Sequence, residues 1–415
     1  MDNNSFLSRS LALARRAPLS LVLLLLVSAS LSIAVSFYLF LFVAAPIPRP
    51  PRKSERTYKT ILSDGSTSES KPLPSWLDNY AALKEMARKK QMPADEAYQI
   101  SEPEIFMSVV VPAYNEEDRL DVMLEEAVDF LEQEYGDAHD EDGVARSTST
   151  TATHKKTQTA NGNGTSGTLH ARVPSSSPAS KGWEILIISD GSSDKTVETA
   201  LNFARDHQLS RTTKLAHPTY IASGSIRVVS LEENRGKGGA VTHGMRHVRG
   251  KYVVFADADG ASKFSDLSKL IQGCQKVEDK AGRGVAIGSR AHLVGSEAVV
   301  KRSLLRNTLM HSFHLLLRLL TPPATSRIRD TQCGFKLFSR ASLPYIIPFM
   351  HSESWIFDVE MLMLAESAGI PMAEVSVGWK EVKGSKLNVV WDSLGMAWGL
   401  AVLRAAWGVG VYRRD

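Results

Sequence analysis

The sequence predicts an α/β fold with a mostly parallel central sheet and a membrane-spanning helix in front of it. Two observations lead to this fold class. Short apolar runs alternate with helical patterns along most of the 415-residue chain, as in parallel sheets covered by helices on both faces. Polar residues directly follow several of these runs, and ligands bind at the carboxyl ends of the strands in such sheets.

The N-terminal apolar segment, residues 19–45, is expected to anchor the chain in a membrane. It contains no charged side chain and is longer than the roughly 20 residues that cross a bilayer. The alternative is a signal peptide, whose apolar region is usually shorter, about 7–15 residues. More lysine and arginine residues follow the segment than precede it, which favours a short luminal N-terminus at residues 1–18 and a cytosolic domain after the anchor.

Composition and charge argue against some functional classes. The net charge of +4 comes without a dense basic stripe, so we expect no nucleic-acid partner. The two cysteines, Cys274 and Cys333, cannot form a disulfide framework, which suits a reducing compartment. Protein partners are not predictable from the sequence.

The region after the anchor, residues 46–105, is predicted to be a juxtamembrane linker and a helix. Residues 46–75 are rich in proline, serine and charge, which is typical of a linker, and the helix is expected at Trp76–Arg88.

The α/β domain is predicted over residues 106–388. Its segment 136–181 contains almost no large apolar residue, so we expect a disordered insertion there. A helix with apolar residues at helical spacing is predicted at Asp118–Gln133, after the first strand. The predicted strands are FMSVVVP, WEILIISD, IRVVSL, KYVVFA and GVAIGS.

Polar side chains at the ends of these strands are the candidates for function. One pocket would collect them, because the carboxyl ends of parallel strands meet at one edge of a sheet. They are Tyr114, Asn115, Glu116, Asp190, Asp257, Asp259 and Arg290.

Asp257 and Asp259 follow the predicted strand KYVVFA directly. Two carboxylates this close are costly to ionise unless a cation lies nearby. Oxygen ligands suit a hard divalent ion, Mg²⁺ or Mn²⁺, which takes phosphate oxygens as further ligands. The alternative is a solvated turn that caps a helix, since aspartate is common in both.

Asp190 and the glycine-rich segment Glu233–Ala240 each allow two interpretations. Asp190 either caps the next helix or hydrogen-bonds to a ribose or nucleobase. The glycines either let the backbone approach a ligand, with Arg235 and Lys237 facing its anionic groups, or form a flexible solvated loop. The segment lacks the P-loop order of residues, which argues against a Walker-type ATPase. No GxGxxG follows the first strand, which argues against a dinucleotide-binding enzyme.

Two further segments are predicted to lie at the membrane surface. Ser303–Leu320 is a basic amphipathic helix suited to the interface, and the alternative is a surface helix that packs on the core. The C-terminal segment 389–415 is apolar and contains three tryptophans, which favour the headgroup region. A second span is disfavoured, because Asp392 and Arg404 interrupt the apolar run.

The ordered motifs VVVPAYNEED, IISDGSSDKT, NRGKGGAVTHGM and FADADGA resemble those of the inverting family 2 glycosyltransferases. The segments DTQCGFKLF, WIFDVEMLMLA and GSKL are similar to those of the dolichyl-phosphate β-glucosyltransferases within that family. The resemblance implies a GT-A nucleotide-sugar fold, which is Rossmann-like, and a requirement for Mg²⁺ or Mn²⁺. It implies transfer of glucose from UDP-glucose to dolichyl phosphate in the bilayer, for protein N-glycosylation, at the cytosolic face of the endoplasmic reticulum.

The resemblance also implies roles for individual residues. Asp259 would be the better metal ligand, and Asp257 would hold the metal with it or act through the ribose or water; both would act in catalysis. Asp330 and Gln332 would line the junction of sugar and acceptor. Capping of a turn is the alternative for Asp330. The nucleotide-sugar would contact Pro112, Tyr114, Asn115, Glu116, Asp190, Lys237, Asp257, Ala258, Asp259 and Arg290, and the acceptor phosphate would contact Arg290, Lys380 and Lys386.

Two other functions fit the residues alone. One is another polyprenyl-phosphate sugar transferase, such as one that uses GDP-mannose, because no residue type by itself reads the sugar hydroxyls. The other is a membrane scaffold that binds a nucleotide-sugar without turnover. A scaffold gains nothing from a costly acid pair, which argues against the second.

Overall fold

The computed structural model describes residues 18–89, 100–136, 181–209, 219–293, 304–382 and 389–414. The predicted insertion therefore lies outside the described residues, except for its first and last positions. The described α-helices are α1 (Leu19–Ala44), α2 (Trp76–Arg88), α3 (Leu120–Tyr135), α4 (Thr196–Leu209), α5 (Gly236–Met245), α6 (Leu267–Val277), α7 (Leu304–Leu320), α8 (Pro323–Arg327), α9 (Phe357–Ser367) and α10 (Val389–Gly408).

Seven strands form one central sheet, in the spatial order β5-β4-β3-β6-β8-β7-β9. All neighbours are parallel except β8, which is antiparallel to both β6 and β7. A mostly parallel sheet was predicted, and it is confirmed. The described strands are β1 (Thr57–Tyr58), β2 (Lys71–Pro72), β3 (Ile105–Ala113), β4 (Trp183–Asp190), β5 (Ile226–Leu231), β6 (Gly250–Ala256), β7 (Val285–Ser289), β8 (Phe335–Ser339) and β9 (Met372–Ser376).

Both faces of the sheet are covered by helices. Alternate residues of one strand point to opposite faces, so Val109 and Val111 join one core cluster and Val110 joins the other. The first cluster includes α3, α4 and α6, and the second includes α5 and α9. This two-sided burial explains why the strands read as continuous apolar runs.

Helix α3 confirms the prediction made from its apolar spacing. All six apolar residues that defined the pattern are buried against the sheet: Leu120, Met123, Leu124, Ala127, Val128 and Leu131.

A third apolar cluster joins the end of α1 to α7, α9 and α10. Phe313 and Leu317 of α7 pack there with Leu400 and Leu403 of α10. We call the outer surface of these helices the apolar face. Its exposed apolar side chains include Leu315, Leu319, Trp391, Leu394 and Trp398.

Helix α1 is the one described helix long and apolar enough to cross a membrane, and its apolar window is wholly exposed. At its C-terminal end the ring of Phe40 meets that of Trp398 edge-on, at a centroid distance of 6.3 Å. The apolar face therefore lies beside the end of the candidate span.

Residues 46–75, predicted to be a linker, form an arm that packs on the α/β domain. Glu55, Thr60 and Ile61 are buried, and Lys59 pairs with Val228 of β5. The arm continues into α2, where Trp76 Nε1 donates a hydrogen bond to Met245 O at 2.7 Å. We call residues 46–75 the juxtamembrane arm.

Candidate active site

The candidate site lies where the carboxyl ends of β3, β4, β6 and β7 meet, and we call this edge of the sheet the carboxyl edge. Because β8 is antiparallel to β6, it begins at this edge, with Phe335 opposite Ala256. The segment 330–334 before β8 therefore joins the strand-end residues.

The acid pair follows β6 at this edge. Lys237 Nζ lies 2.6 Å from Asp257 Oδ1, as an ion pair without hydrogen-bond geometry, and that oxygen accepts no hydrogen bond within the described residues. Asp259 Oδ1 accepts one from Ala261 N at 3.0 Å. Burial, together with the charge of Asp257, raises the pKa of Asp259. The pair thus carries negative charge that its neighbours only partly neutralise.

A divalent cation fits this pair. Within the described residues, no group of three or more His, Cys, Asp or Glu side chains is arranged to hold a metal ion. The protein would supply Asp257 and Asp259, leaving the other positions to phosphate oxygens and water, which is the usual arrangement for Mg²⁺ at phosphate sites. Asp257 Oδ1, which pairs with Lys237 and accepts no hydrogen bond within the described residues, is an available ligand atom.

A buried ion pair lies behind the acid pair. Lys336 and Asp358 are both buried and in direct contact, and Lys336 Nζ also donates to Cys333 O at 2.7 Å. The next residue, Gly334, abuts Asp257 so closely that a Cβ there would overlap the carboxylate. Lys336 therefore holds the backbone that supports Asp257.

Lys237 connects the two pairs electrostatically. Burial lowers its pKa, but the charges of Asp257 and Asp358 outweigh this and keep the pKa above its usual value. Its ammonium also lies 5.8 Å from the centroid of the Trp355 ring. Lys237 thus stays charged beside the acid pair.

Asp190 ends β4, buried at the carboxyl edge. Its Oδ1 accepts a hydrogen bond from Arg235 N at 2.7 Å. Burial raises the pKa of Asp190 to about 6, although this bond and the charge of Arg235 oppose the shift. Asp190 therefore binds the N-terminal end of α5, and α4, the next helix in the sequence, has its first backbone N bonded to Asp194 instead.

The glycines at the start of α5, directly after the loop that follows β5, are required by packing within the protein. Gly236 has φ +78°, and a Cβ there would lie 2.5 Å from Glu353 O. A Cβ on Gly238 would lie 2.6 Å from Phe357 Cβ and 2.7 Å from Ser352 O. The glycines thus make room for residues 352–357, and the prediction that they admit a ligand is not supported at these two positions.

Loop 114–117 after β3 is tied to loop 192–196 after β4. Asn115 has φ +53°, and its Oδ1 accepts a hydrogen bond from Ser193 N at 2.8 Å. Glu116 N donates to Thr196 Oγ1 at 2.8 Å, and its carboxylate accepts from Arg119 Nε at 2.8 Å. Tyr114 is exposed and Pro112 half-buried beside this junction. These predicted site residues therefore lie at one rim of the carboxyl edge.

Arg290 and Asp330 form a close pair at the opposite rim. Asp330 accepts hydrogen bonds from the backbone N, Nε and Nη2 of Arg290, at 2.8, 2.7 and 2.9 Å. Burial raises the pKa of Asp330, but Arg290 outweighs this effect and holds the pKa below its usual value. Asp330 is thus a fixed anion, suited to orienting Arg290 and poorly suited to accepting a proton.

The remaining predicted residues lie around the same edge or outside the described residues. Ala258 is buried between the two aspartates. Gln332 Nε2 lies 2.7 Å from Met396 Sδ, so it connects the site to α10. Lys380 is exposed, and its backbone N donates to Ala261 O at 2.8 Å, two residues beyond Asp259. Lys386 lies outside the described residues.

Comparisons with known proteins show the family of the chain. The sequence model of Glycosyl transferase family 2 matches residues 176–344. The dolichyl-phosphate beta-glucosyltransferase of Saccharomyces cerevisiae is 39% identical over 350 residues, covering 82% of this chain and 87% of that protein. This chain belongs to the dolichyl-phosphate β-glucosyltransferase family.

Two other members of the dolichyl-phosphate β-glucosyltransferase family show similar coverage. The Drosophila melanogaster protein is 39% identical over 75% of this chain and 78% of its own length. The Homo sapiens protein is 35% identical over 74% of this chain and 78% of its own length. A solved structure of glucosyl-3-phosphoglycerate synthase from Mycobacterium tuberculosis, with Mg²⁺ and UDP, is 16% identical at a TM-score of 0.41, covering 81% of this chain and 85% of that one.

The sequence prediction for this dolichyl-phosphate β-glucosyltransferase family member missed several site residues. Lys336 is a charged residue inside the otherwise apolar run GFKLF, and Asp358 is one of two acids, with Glu360, inside the apolar run WIFDVEMLMLA. That interruption was the available signal. Trp379, whose ring lies 5.8 Å from the guanidinium carbon of Arg290, carried no such signal.

Proposed function

We propose that this chain transfers glucose from UDP-glucose to dolichyl phosphate with inversion, giving dolichyl β-D-glucosyl phosphate and UDP. The observation that carries the proposal is the acid pair Asp257 and Asp259, left partly unneutralised at the carboxyl edge of an α/β sheet. The names of the relatives support glucose as the sugar and dolichyl phosphate as the acceptor.

The donor would lie along the carboxyl edge. Asp190 and the rim at residues 112–116 would contact the nucleoside, and Lys237 would face the diphosphate. Asp257 and Asp259 would hold Mg²⁺ or Mn²⁺, which when bound stabilises negative charge on the leaving UDP. Lys237 keeps its charge next to Asp257, so it offers a second cation to the diphosphate.

The acceptor needs little help to become a nucleophile. A phosphate monoester has a second pKa of about 6, so it is mostly a dianion at neutral pH. One of its oxygens forms the new bond to the anomeric carbon while the bond from that carbon to UDP breaks, and UDP leaves with the electron pair. No proton has to move, which agrees with Asp330 being held as a fixed anion by Arg290. Orientation and charge would carry the catalysis.

The acceptor phosphate would approach from the side of the apolar face. Arg290, Lys380 and Lys386 are the proposed cationic contacts for it, and Gln332 would line the junction with the sugar. The apolar face lies beside the end of α1, so a lipid-borne phosphate in the bilayer would reach the carboxyl edge without leaving the interface.

We also propose that α1 anchors the chain in the endoplasmic reticulum membrane, with the α/β domain in the cytosol. The product would then serve as the glucose donor for lipid-linked oligosaccharide assembly in N-glycosylation. The excess of lysine and arginine after α1 supports this orientation.

A transfer assay tests the proposal. Membranes from cells that express the chain, and from matched cells that lack it, receive dolichyl phosphate with labelled UDP-glucose, UDP-galactose or GDP-mannose. We expect chain-dependent lipid-linked label from UDP-glucose, with the β configuration at the anomeric carbon. Label from GDP-mannose alone, or an α-linked product, would overturn the proposal.

A further inference from the structure

The juxtamembrane arm is held by charged contacts in spite of its linker-like composition. Arg49 Nη1 and Nη2 donate to the two oxygens of Glu55 at 2.8 and 2.6 Å, and Arg52 N donates to the same carboxylate at 2.8 Å. Glu55 is completely buried. Burial raises its pKa, but these donors outweigh the effect and lower the pKa to about 2. A buried, fully bonded carboxylate of this kind fixes the backbone around it.

The arm binds the loop between β5 and α5, which consists of residues 232–235. Glu232 N donates to Glu55 Oε1 at 3.1 Å, and Arg49 Nε donates to Glu233 Oε1 at 2.7 Å. Arg235 Nη2 donates to Arg49 O at 2.8 Å. The arm thus contacts this loop through both side chains and backbone.

The same loop holds Asp190 from its other side. Arg235 N donates to Asp190 Oδ1 at 2.7 Å. The following residue, Gly191, has φ +67°, and a Cβ there would lie 2.6 Å from Asn234 N. The loop is therefore enclosed between the arm and the end of β4, so a shift of one moves the other.

We infer that Arg49 and Glu55 are positioning residues for the donor nucleotide, acting through the 232–235 loop on Asp190. The inference rests on the proposed function, because it takes the nucleoside to lie against Asp190. The arm lies outside the segment 176–344 that matches the family model.

The arm begins directly after the candidate membrane span. Arg49 follows the last residue of α1, Ala44, by only a few residues. The loop that holds Asp190 is therefore held close to the end of the candidate span, on a connection with little slack.

Binding of UDP to the purified full chain tests the inference. Titration calorimetry in the presence of Mn²⁺ compares the wild type with Arg49→Met and with a matched control, Arg56→Met. Arg56 belongs to the same arm, and its side chain pairs with Asp78 at 3.3 Å, away from the loop. We expect Arg49→Met to raise the Kd for UDP about tenfold, since it removes several charged hydrogen bonds, and Arg56→Met to leave it unchanged.

The KM values for the two substrates show whether Arg49 positions the donor nucleotide or only stabilises the fold. Arg49→Met should raise the KM for UDP-glucose and leave the KM for dolichyl phosphate unchanged. Arg49→Lys should recover only part of the loss, because an ammonium cannot bind a carboxylate with two parallel hydrogen bonds. If Arg49→Met does not fold, Glu233→Gln replaces it as the test. This variant removes the charge from an exposed contact between arm and loop and should also raise the Kd for UDP.

The outcomes distinguish this inference from the proposed function. If the wild type does not bind UDP, the proposed function fails. If the wild type binds UDP and both Arg49→Met and Glu233→Gln bind it with the same Kd, the role of the arm is overturned and the proposed function stands. A lower unfolding temperature with an unchanged Kd would mean that Arg49 acts on stability alone.

Discussion

At the carboxyl edge, side chains from distant parts of the sequence are held by polar contacts. Asp257, Arg290 and Asp190 each have a partner at 2.6–2.7 Å on another element. At the apolar face, α7 and α10 are held by packing of apolar side chains, and the outer positions, such as Trp391 and Trp398, are exposed. Charge controls geometry in the first region, so we expect it to respond to single charge changes. The second should respond to the loss of apolar surface.

The largest expected effect concerns the buried pair behind the carboxyl edge. Lys336→Met leaves Asp358 buried without its cation and should destabilise the fold by about 3–5 kcal/mol. The double variant Lys336→Met/Asp358→Leu removes both charges and should recover most of this stability, because apolar replacement of a whole buried pair is often tolerated. Thermal unfolding of the detergent-purified chain measures both.

The double variant also sharpens the comparison between the regions. Its transfer activity should stay low although its stability recovers, because Lys237 has lost the charge of Asp358 and Cys333 O has lost its donor. A double variant that regains full activity would show that the pair only fills space, as the side chains behind the apolar face do.

The next largest effects on stability are expected from two glycine substitutions, one in each region. Gly238→Ala at the carboxyl edge should cost about 1–3 kcal/mol, because the new methyl group would overlap Phe357 and Ser352 O. The new methyl group of Gly395→Ala in α10 meets no described atom within 4 Å beyond the adjoining backbone of its own helix and should stabilise the helix by about 0.5–1 kcal/mol. Equal unfolding temperatures for the two variants would contradict the difference in packing.

The smallest expected effect lies on the apolar face. Trp398→Glu places a charge where we expect lipid, and should raise the KM for dolichyl phosphate about fivefold while the KM for UDP-glucose stays the same. Trp398→Phe keeps an apolar ring and serves as the control. If Trp398→Glu raised the KM for UDP-glucose as well, the two regions would not be separate.

Much of the fold was predictable, because apolar runs in the sequence indicate which segments are buried. The strands β3 to β7 and the helices α1, α2, α3, α7 and α10 correspond to predicted segments. Strands β8 and β9 were missed. Lys336 interrupts the pattern of β8, and β9 is half-exposed, so neither reads as a continuous apolar run.

The juxtamembrane arm makes contacts that its composition does not predict. Its buried residues include the polar Glu55 and Thr60, which form hydrogen bonds to β5 and to the loop after it. The partners in these bonds are more than 150 residues away in the sequence, so the sequence alone does not predict them.

For the candidate site, the residue types were predictable and the pairings were not. Asp190, Asp257, Asp259 and Arg290 follow strands whose carboxyl ends meet, so their convergence followed from the parallel sheet. The partner of Arg290 is Asp330, which comes near only because β8 runs antiparallel and starts at the same edge. That strand direction was not part of the prediction, so Asp330 was assigned to the sugar junction and not to Arg290.

The most direct test of the acid pair is the Mn²⁺ dependence of glucose transfer in Asp259→Asn. The matched control is Asp279→Asn, which removes a carboxylate that pairs with Arg283 before β7, at the opposite end of that strand. We predict that Asp259→Asn lowers turnover at saturating Mn²⁺ at least about 100-fold, while Asp279→Asn keeps it. Near-normal turnover with unchanged Mn²⁺ dependence in Asp259→Asn would contradict the assignment of the donor site to the acid pair.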